Sequence, residues 1–295
     1  HNSVMRPLRH LESQGLGLTV LANAPDATLD AEMVRAAITP KTRLITTVHG
    51  SNVTGTLLPI AQIAAISREH GIPYLVDASQ TAGALPIDVT GLGVDLVAFT
   101  GHKALLGLTG TGGLYVREGV SPRPFMRGGT GSKSDLEFQP DFLPDAYESG
   151  TLNVAGYAGL SAGVRHLLDF GVDNVARHER SLVERFIKGM SKVEGVTIHG
   201  PDRIEDRCGV LSFNVDRLAP SEVGTLLDQE YGIMSRVGLH CAPGAHQTIG
   251  TFPTGSVRFG FSMMNTDTEV DQAIEAVSDI ADWAQERALE DHADA

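Results

Sequence analysis

The 295-residue chain holds two cysteines and one tryptophan. It lacks any apolar run near the roughly 18–20 residues that cross a bilayer. Cys208 and Cys241 are too few for a disulfide framework, so a reducing cytoplasm is the expected compartment. Positive charge is also scarce: 23 Lys and Arg stand against 36 Asp and Glu, a formal charge of −13. Nucleic acid or an anionic membrane would be repelled, so neither is expected as a partner. A small anionic ligand feels only its local pocket and stays compatible with this balance. Internal repeats and low-complexity tracts are absent too, and no secretory signal is expected. The histidines lack the paired spacing of a zinc site, so no metal is expected. A chain that opens on His1 is expected to be a piece of a longer protein.

What is present is an ordinary soluble composition, 42% hydrophobic and 20% charged, enough for one large core or two smaller ones. Residues 28–39 (TLDAEMVRAAIT) show helical spacing and are followed by the β-rich run TRLITTV. A helix opening at PIAQIAAISREHG has Pro59 near its first turn and Gly71 past its end. IPYLVDA, VDLVAFT and GGLYV read as further strands. Apolar strands separated by helices predict an α/β fold with a mainly parallel central sheet and helices on both faces. Residues 119–150 then lose all period in a stretch rich in Gly, Pro, Ser and Asp, as functional or interface loops do. Beyond it, helices near 153–169 and 173–192 lead into short strands, a helix near 220–231 and a closing helix from about 267. The expected organisation is a large domain over 1–150 and a smaller C-terminal α+β domain over 151–295.

Open α/β sheets place ligands at the C-terminal ends of their strands. Those ends read VHGSN, VDASQ and FTGHK, and supply His49, Asn52, Asp77, Gln80, Thr100, His102 and Lys103. Polar residues gather wherever strands become loops, so an exposed lysine in a turn is the plain alternative. A desolvated lysine has a lowered pKa and can act as nucleophile and base. A lysine, a carboxylate and a phosphate cradle together are what pyridoxal phosphate chemistry requires. There the lysine forms the Schiff base and the aspartate keeps the pyridine nitrogen protonated.

VDASQTAGALPIDV followed by DLVAFTGHKALLGLTGTGGLYV resembles the core of the class V aminotransferases, the cysteine desulfurase group above all. HNSVMRPL, HGSNVTGTLLPI, ESGTLNVAGYAGL, SRVGLHCAPGAH and VRFGFSMMNTDTEVD resemble that family's successive motifs in its own order, over essentially the whole chain. The resemblance implies fold type I of the pyridoxal-phosphate-dependent transferases, a homodimer, and pyridoxal 5'-phosphate as cofactor. It also implies further residues ahead of His1 that help to bind the phosphate.

Carried over by position, Lys103 is the Schiff-base lysine, Asp77 the partner of the pyridine nitrogen, and Gln80 the donor to the phenolic oxygen. His1 is the imidazole that stacks on the ring. Thr100 and His102 bind the phosphate, and Thr151 reaches the phosphate of the neighbouring subunit. Asn52 and Arg258 match groups that bind the substrate carboxylate, and Arg236 is a further arginine of the site with an open role. Cys241, between His240 and His246 on a Gly- and Pro-containing loop, is the nucleophile that would hold sulfur as a persulfide. Cys208, at the head of an apolar strand, reads as core.

The implied reaction takes L-cysteine to L-alanine and passes the sulfur to an acceptor protein. Two alternatives stay open at this point. One is a class V aminotransferase or a selenocysteine or amino-acid lyase, which needs no Cys241. The other is a non-catalytic dimeric scaffold.

Overall fold

The computed structural model describes residues 1–293, with side chains through Arg287. After helix α1 (Asn2–Ser13), the chain builds a four-stranded sheet in the order β1 (Ile45–Val48), β2 (Tyr74–Asp77), β3 (Leu96–Thr100) and β4 (Gly112–Val116). The first two pairings are parallel, as expected, and β4 runs antiparallel to β3. Its direction follows from its connection: residues 101–111 hold no helix to carry the chain back across the sheet, so it returns beside β3.

Three helices cover one face of this sheet: α2 (Ala31–Ala37), α3 (Ile60–Glu69) and α4 (Val89–Leu92). Asp30 and Asp88 start α2 and α4 by accepting hydrogen bonds from first-turn amides. Ile60, Ile63, Ala64 and Ile66 of α3 join Tyr74, Val76 and Val97 in one buried cluster. Because side chains alternate along a strand, burying Tyr74 and Val76 sends Leu75 and Asp77 to the opposite, half-buried face. That alternation points Asp77 toward the site.

Helix α5 (Val154–Phe170) packs on the turn that follows β3, through small residues. A Cβ on Gly163 would lie 2.4 Å from the Leu105 carbonyl oxygen, and one on Gly159 3.1 Å from Leu108. Helix α6 (Val172–Met190) turns instead to a second, wholly antiparallel sheet. Its order is β5 (Val196–Ile198), β6 (Val210–Val215), β8 (Ser256–Gly260) and β7 (Arg236–Gly238). α7 (Pro220–Tyr231) and α9 (Asp267–Ala293) complete its core with α6, around the packed rings of Phe186, Phe213, Phe259 and Phe261. A short α8 (Pro243–Thr248) lies between β7 and β8.

The two sheets are joined by the loop after β1. Cys208 donates its backbone N–H to Gly55 at 2.9 Å, Leu57 donates to Asp206 at 2.8 Å, and Ser212 Oγ donates to the Val53 carbonyl at 2.6 Å. A Cβ on Gly55 would stand 2.1 Å from the Val210 oxygen, and its φ of +73° is one that glycine alone adopts without strain. This close backbone approach carries Asn52 across to the second sheet.

Candidate active site

The strand ends of the first sheet form one wall. Val48 pairs with Asp77 and Asp77 with Ala98 in register, so the three strands end side by side. Asp77 Oδ1 accepts the Ser79 amide at 2.9 Å, which orients the carboxylate. Lys103 lies in the turn just past β3. It is exposed in the single chain. Its ammonium still titrates below the ordinary lysine range. Surrounding protein desolvates it, Asp77 partly opposes that effect, and the Arg258 guanidinium adds to it. Lys103, Asp77 and Arg258 therefore share one electrostatic neighbourhood. Thr100 Oγ1 and His102 Nδ1 pair at 2.7 Å beside it. Gln80, half-buried, occupies the turn after β2.

The second wall comes from the antiparallel sheet. Arg236 on β7 and Arg258 on β8 stand directly opposite each other in register. Like charges so placed repel, and burial together with Arg236 holds the Arg258 guanidinium below its usual range. An anion between them would relieve that repulsion. Cys241 is exposed, with Arg236 Nη2 donating to its Sγ at 3.8 Å, and its charge also reaches Arg258. Asn52, the other expected carboxylate ligand, bridges the two walls. Its Nδ2 donates to the His240 carbonyl at 2.7 Å, and its own carbonyl accepts from Arg258 Nη1 at 2.8 Å. It ties the Cys241 loop to the loop after β1.

His1 is exposed, and its ring caps α1 by accepting the Ser3 amide at 3.1 Å; its terminal amine lies within reach of the Asp77 charge. Thr151 is exposed between Gly150 and α5. Its expected target lies in a neighbouring subunit, which a single chain does not contain. Cys208 is buried, and burial pushes its thiol up to about 12, so it is core as expected. Among the described residues no group of three or more His, Cys, Asp or Glu could hold a metal, and no helix is long and apolar enough to cross a membrane.

One site residue drew no role from the sequence. His49, one residue past β1, donates its amide to the Asp77 carbonyl at 2.8 Å and keeps a buried Nδ1 without a partner. Burial holds its ring at about 4, so it is neutral near pH 7. Its position in VHGSN was the signal, but a strand-end histidine reads the same whether it faces a site or a core.

Residues 1–273 match the family model described as aminotransferase class-V. The chain belongs to the class-V aminotransferase family. Within that family it is 33% identical over 288 residues to a probable cysteine desulfurase of Methanothermobacter thermautotrophicus, covering 95% of this chain and 71% of that one. It is likewise 33% identical to the cysteine desulfurase of Salmonella newport, over 95% of this chain and 69% of that protein. Against a probable cysteine desulfurase of Halalkalibacterium halodurans it is 35% identical, over 92% of this chain and 66% of that one.

Among solved structures, the apo cysteine desulfurase from Thermococcus onnurineus NA1 superposes with a TM-score of 0.89 at 32% identity, over 96% of this chain and 70% of that chain. The Escherichia coli cysteine desulfurase CsdA, solved with an S-sulfonic acid, gives 0.80 at 31% identity, over 94% and 68%. The fold is thus that of the pyridoxal-phosphate-dependent transferases of fold type I, as the sequence motifs implied.

Proposed function

We propose that this protein is a pyridoxal 5'-phosphate-dependent cysteine desulfurase that converts L-cysteine to L-alanine and holds the sulfur on Cys241 for an acceptor protein. The observation that carries this reading is the exposed Cys241 thiol against Arg236, facing through Arg258 the Lys103–Asp77 pair. The names of the relatives support it.

The residues fit the cofactor. An amine below its ordinary pKa stands beside a carboxylate, and a hydroxyl and an imidazole sit at the adjacent strand end. Gly101 keeps that turn tight, since a Cβ there would meet Thr111 Oγ1 at 2.2 Å. Lys103 would hold the aldehyde carbon, Asp77 the ring nitrogen and Gln80 the phenolic oxygen, with His1 stacked on the ring. Thr100, His102 and, from the second subunit of a homodimer, Thr151 would hold the phosphate. When bound, the group supplies an electron sink that acidifies the substrate Cα proton.

The chain's own residues supply the rest. Arg236 and Arg258 bind the substrate carboxylate between their opposed guanidiniums. Lys103 Nζ, whose charged form is disfavoured by burial, takes the Cα proton. Cys241 Sγ attacks the substrate sulfur: an S–S bond forms, the C–S bond breaks, and its electron pair stays with the substrate carbon. Cysteine plus the enzyme thiol thus becomes alanine plus an enzyme persulfide, with atoms and electrons balanced. A homodimer is favoured by the apolar surface of the 119–150 stretch, where Phe125 is 97% and Phe138 86% exposed.

Cys241→Ala is expected to keep the visible absorbance of lysine-bound cofactor while alanine formation from cysteine falls about 100-fold or more. Lys103→Ala is expected to lose both. Normal alanine output from Cys241→Ala would overturn the nucleophile assignment. Turnover of alanine or serine with a keto acid, but not of cysteine, would make the protein an aminotransferase instead.

A further inference from the structure

The loop that carries Cys241 and the short helix α8 that follows it hold two histidines that the reaction above does not use. His240 and His246 are buried, 4% and 0% exposed, with ring centroids 5.3 Å apart at 44°. His240 Nε2 pairs with Ser256 Oγ at 3.2 Å, and His246 Nδ1 with Thr251 Oγ1 at 2.7 Å. The other nitrogen of each ring, His240 Nδ1 and His246 Nε2, is buried without a partner. Burial holds the His240 ring at about 3 and keeps His246 below its ordinary value, so burial disfavours a charge on either of the two adjacent rings.

Two adjacent polar rings with orphaned nitrogens are a costly way to fill a core that leucine would fill better. The backbone above them is costly as well. His240 and Cys241 are consecutive non-glycine residues at φ +48° and +60°, each of which costs roughly 1–2 kcal/mol. That conformation is pinned from outside. Asn52 Nδ2 holds the His240 carbonyl at 2.7 Å, and the Asn2 amide holds the Cys241 carbonyl at 2.8 Å. On the inner side, His240 is the buried residue of 239–241, and its ring packs against that of His246. The left-handed pair turns the His240 ring inward and the Cys241 thiol outward onto Arg236.

We infer that His246 is a positioning residue for Cys241: by packing its ring against His240 and bonding Thr251, it locks the strained 240–241 turn that holds the thiol against the two arginines. It acts through His240 and touches neither substrate nor cofactor. The inference deepens the proposed function, on which the value of that placement for sulfur transfer rests, but the placement itself is measurable without turnover.

The test compares alkylation of Cys241 by iodoacetate and by iodoacetamide, read by peptide mass on the purified chain with and without pyridoxal phosphate. Both reagents meet the same thiol, so their rate ratio reports whether an anion is drawn to the sulfur by Arg236 and Arg258. A high ratio is expected in the parent. His246→Leu is expected to lower it about threefold or more, since attraction to a neighbouring cation fades within a Debye length once the thiol leaves the arginines. Thr251→Val, which removes one hydrogen bond and keeps the shape, is expected to lower the ratio in the same direction and carries the test if His246→Leu does not fold. In the loaded enzyme the same variants should lower kcat for cysteine with KM little changed. A filler role would lower the melting temperature and leave the ratio alone, and an unchanged ratio in folded Thr251→Val and His246→Leu overturns the inference. A lowered ratio in a protein that makes no alanine would retain the positioning role and reject the desulfurase reading.

Discussion

Glu179 shows how far one residue's setting decides its charge. It lies on α6, 5% exposed, and a Cβ on Gly209 would come within 2.6 Å of its Oε2. Burial raises its carboxyl to about 8. Between its unfolded value of 4.5 and about 8, the folded protein keeps a proton that the unfolded chain has released. The stability from that proton is full below pH 4.5 and is lost as the pH rises through 8. Glu179→Gln should therefore be near neutral at pH 5 and stabilising at pH 9, on the order of 2–4 kcal/mol. Urea unfolding at the two pH values checks this, and an equal effect at both would mean that the carboxylate is already solvated when folded. Nothing in HERSLVERF marks Glu179 as buried beyond its place on the apolar stripe of a helix. Lys103 was legible for the opposite reason, since its neighbours Thr100, Gly101 and His102 belong to a dense motif.

At the scale of elements, the strands and helices read from periodicity lie where it put them, with ends trimmed by local chemistry, while α1, α4 and α8 are not read from it. The run 28–39 becomes a helix only over Ala31–Ala37, because Asp30 caps its start and Ile38 is already extended (ψ 135°). α5 carries information that periodicity does not show: Gly156, Gly159 and Gly163 let it approach the turn bearing Lys103. In Gly163→Ala the helix gains about 1 kcal/mol of propensity. The same Cβ sits 2.4 Å from the Leu105 oxygen, and overpacking of that kind costs about 1–3 kcal/mol. A net loss of stability is expected, together with faster amide exchange over residues 101–107. Gly244→Ala on α8, where a Cβ meets nothing within 4 Å, should be neutral or stabilising in the same melts. If Gly163→Ala melts no lower than Gly244→Ala, the close approach of α5 is not what holds that turn.

For the whole molecule, the packing of α5 bears on where its two parts divide. α5 belongs with the first sheet and α6 with the second, so we propose that the division runs at Gly171, between these helices, and not at residue 150. The 119–150 stretch then becomes a surface of the first part, and Phe125 and Phe138 the centre of the proposed homodimer contact. Phe125→Asp with Phe138→Asp should shift sedimentation from dimer to monomer and weaken cofactor retention, because Thr151 would no longer reach a second subunit. A protein that sediments as a dimer with both changes does not use this surface.

The sequence by itself determined the class of fold, the order of its main strands and helices, and Lys103, Asp77 and Cys241 as the residues to watch. Strand alternation, helix caps and short motifs are local, and local rules suffice to read them. Only the tertiary structure decided what lies between. It set Arg236 opposite Arg258, tied Asn52 to the Cys241 loop, and packed the His246 ring against that of His240. Each of these contacts depends on register or on close backbone approach between segments distant along the chain. Such geometry is set by how the two sheets pack, and no spacing of residues along one segment encodes it.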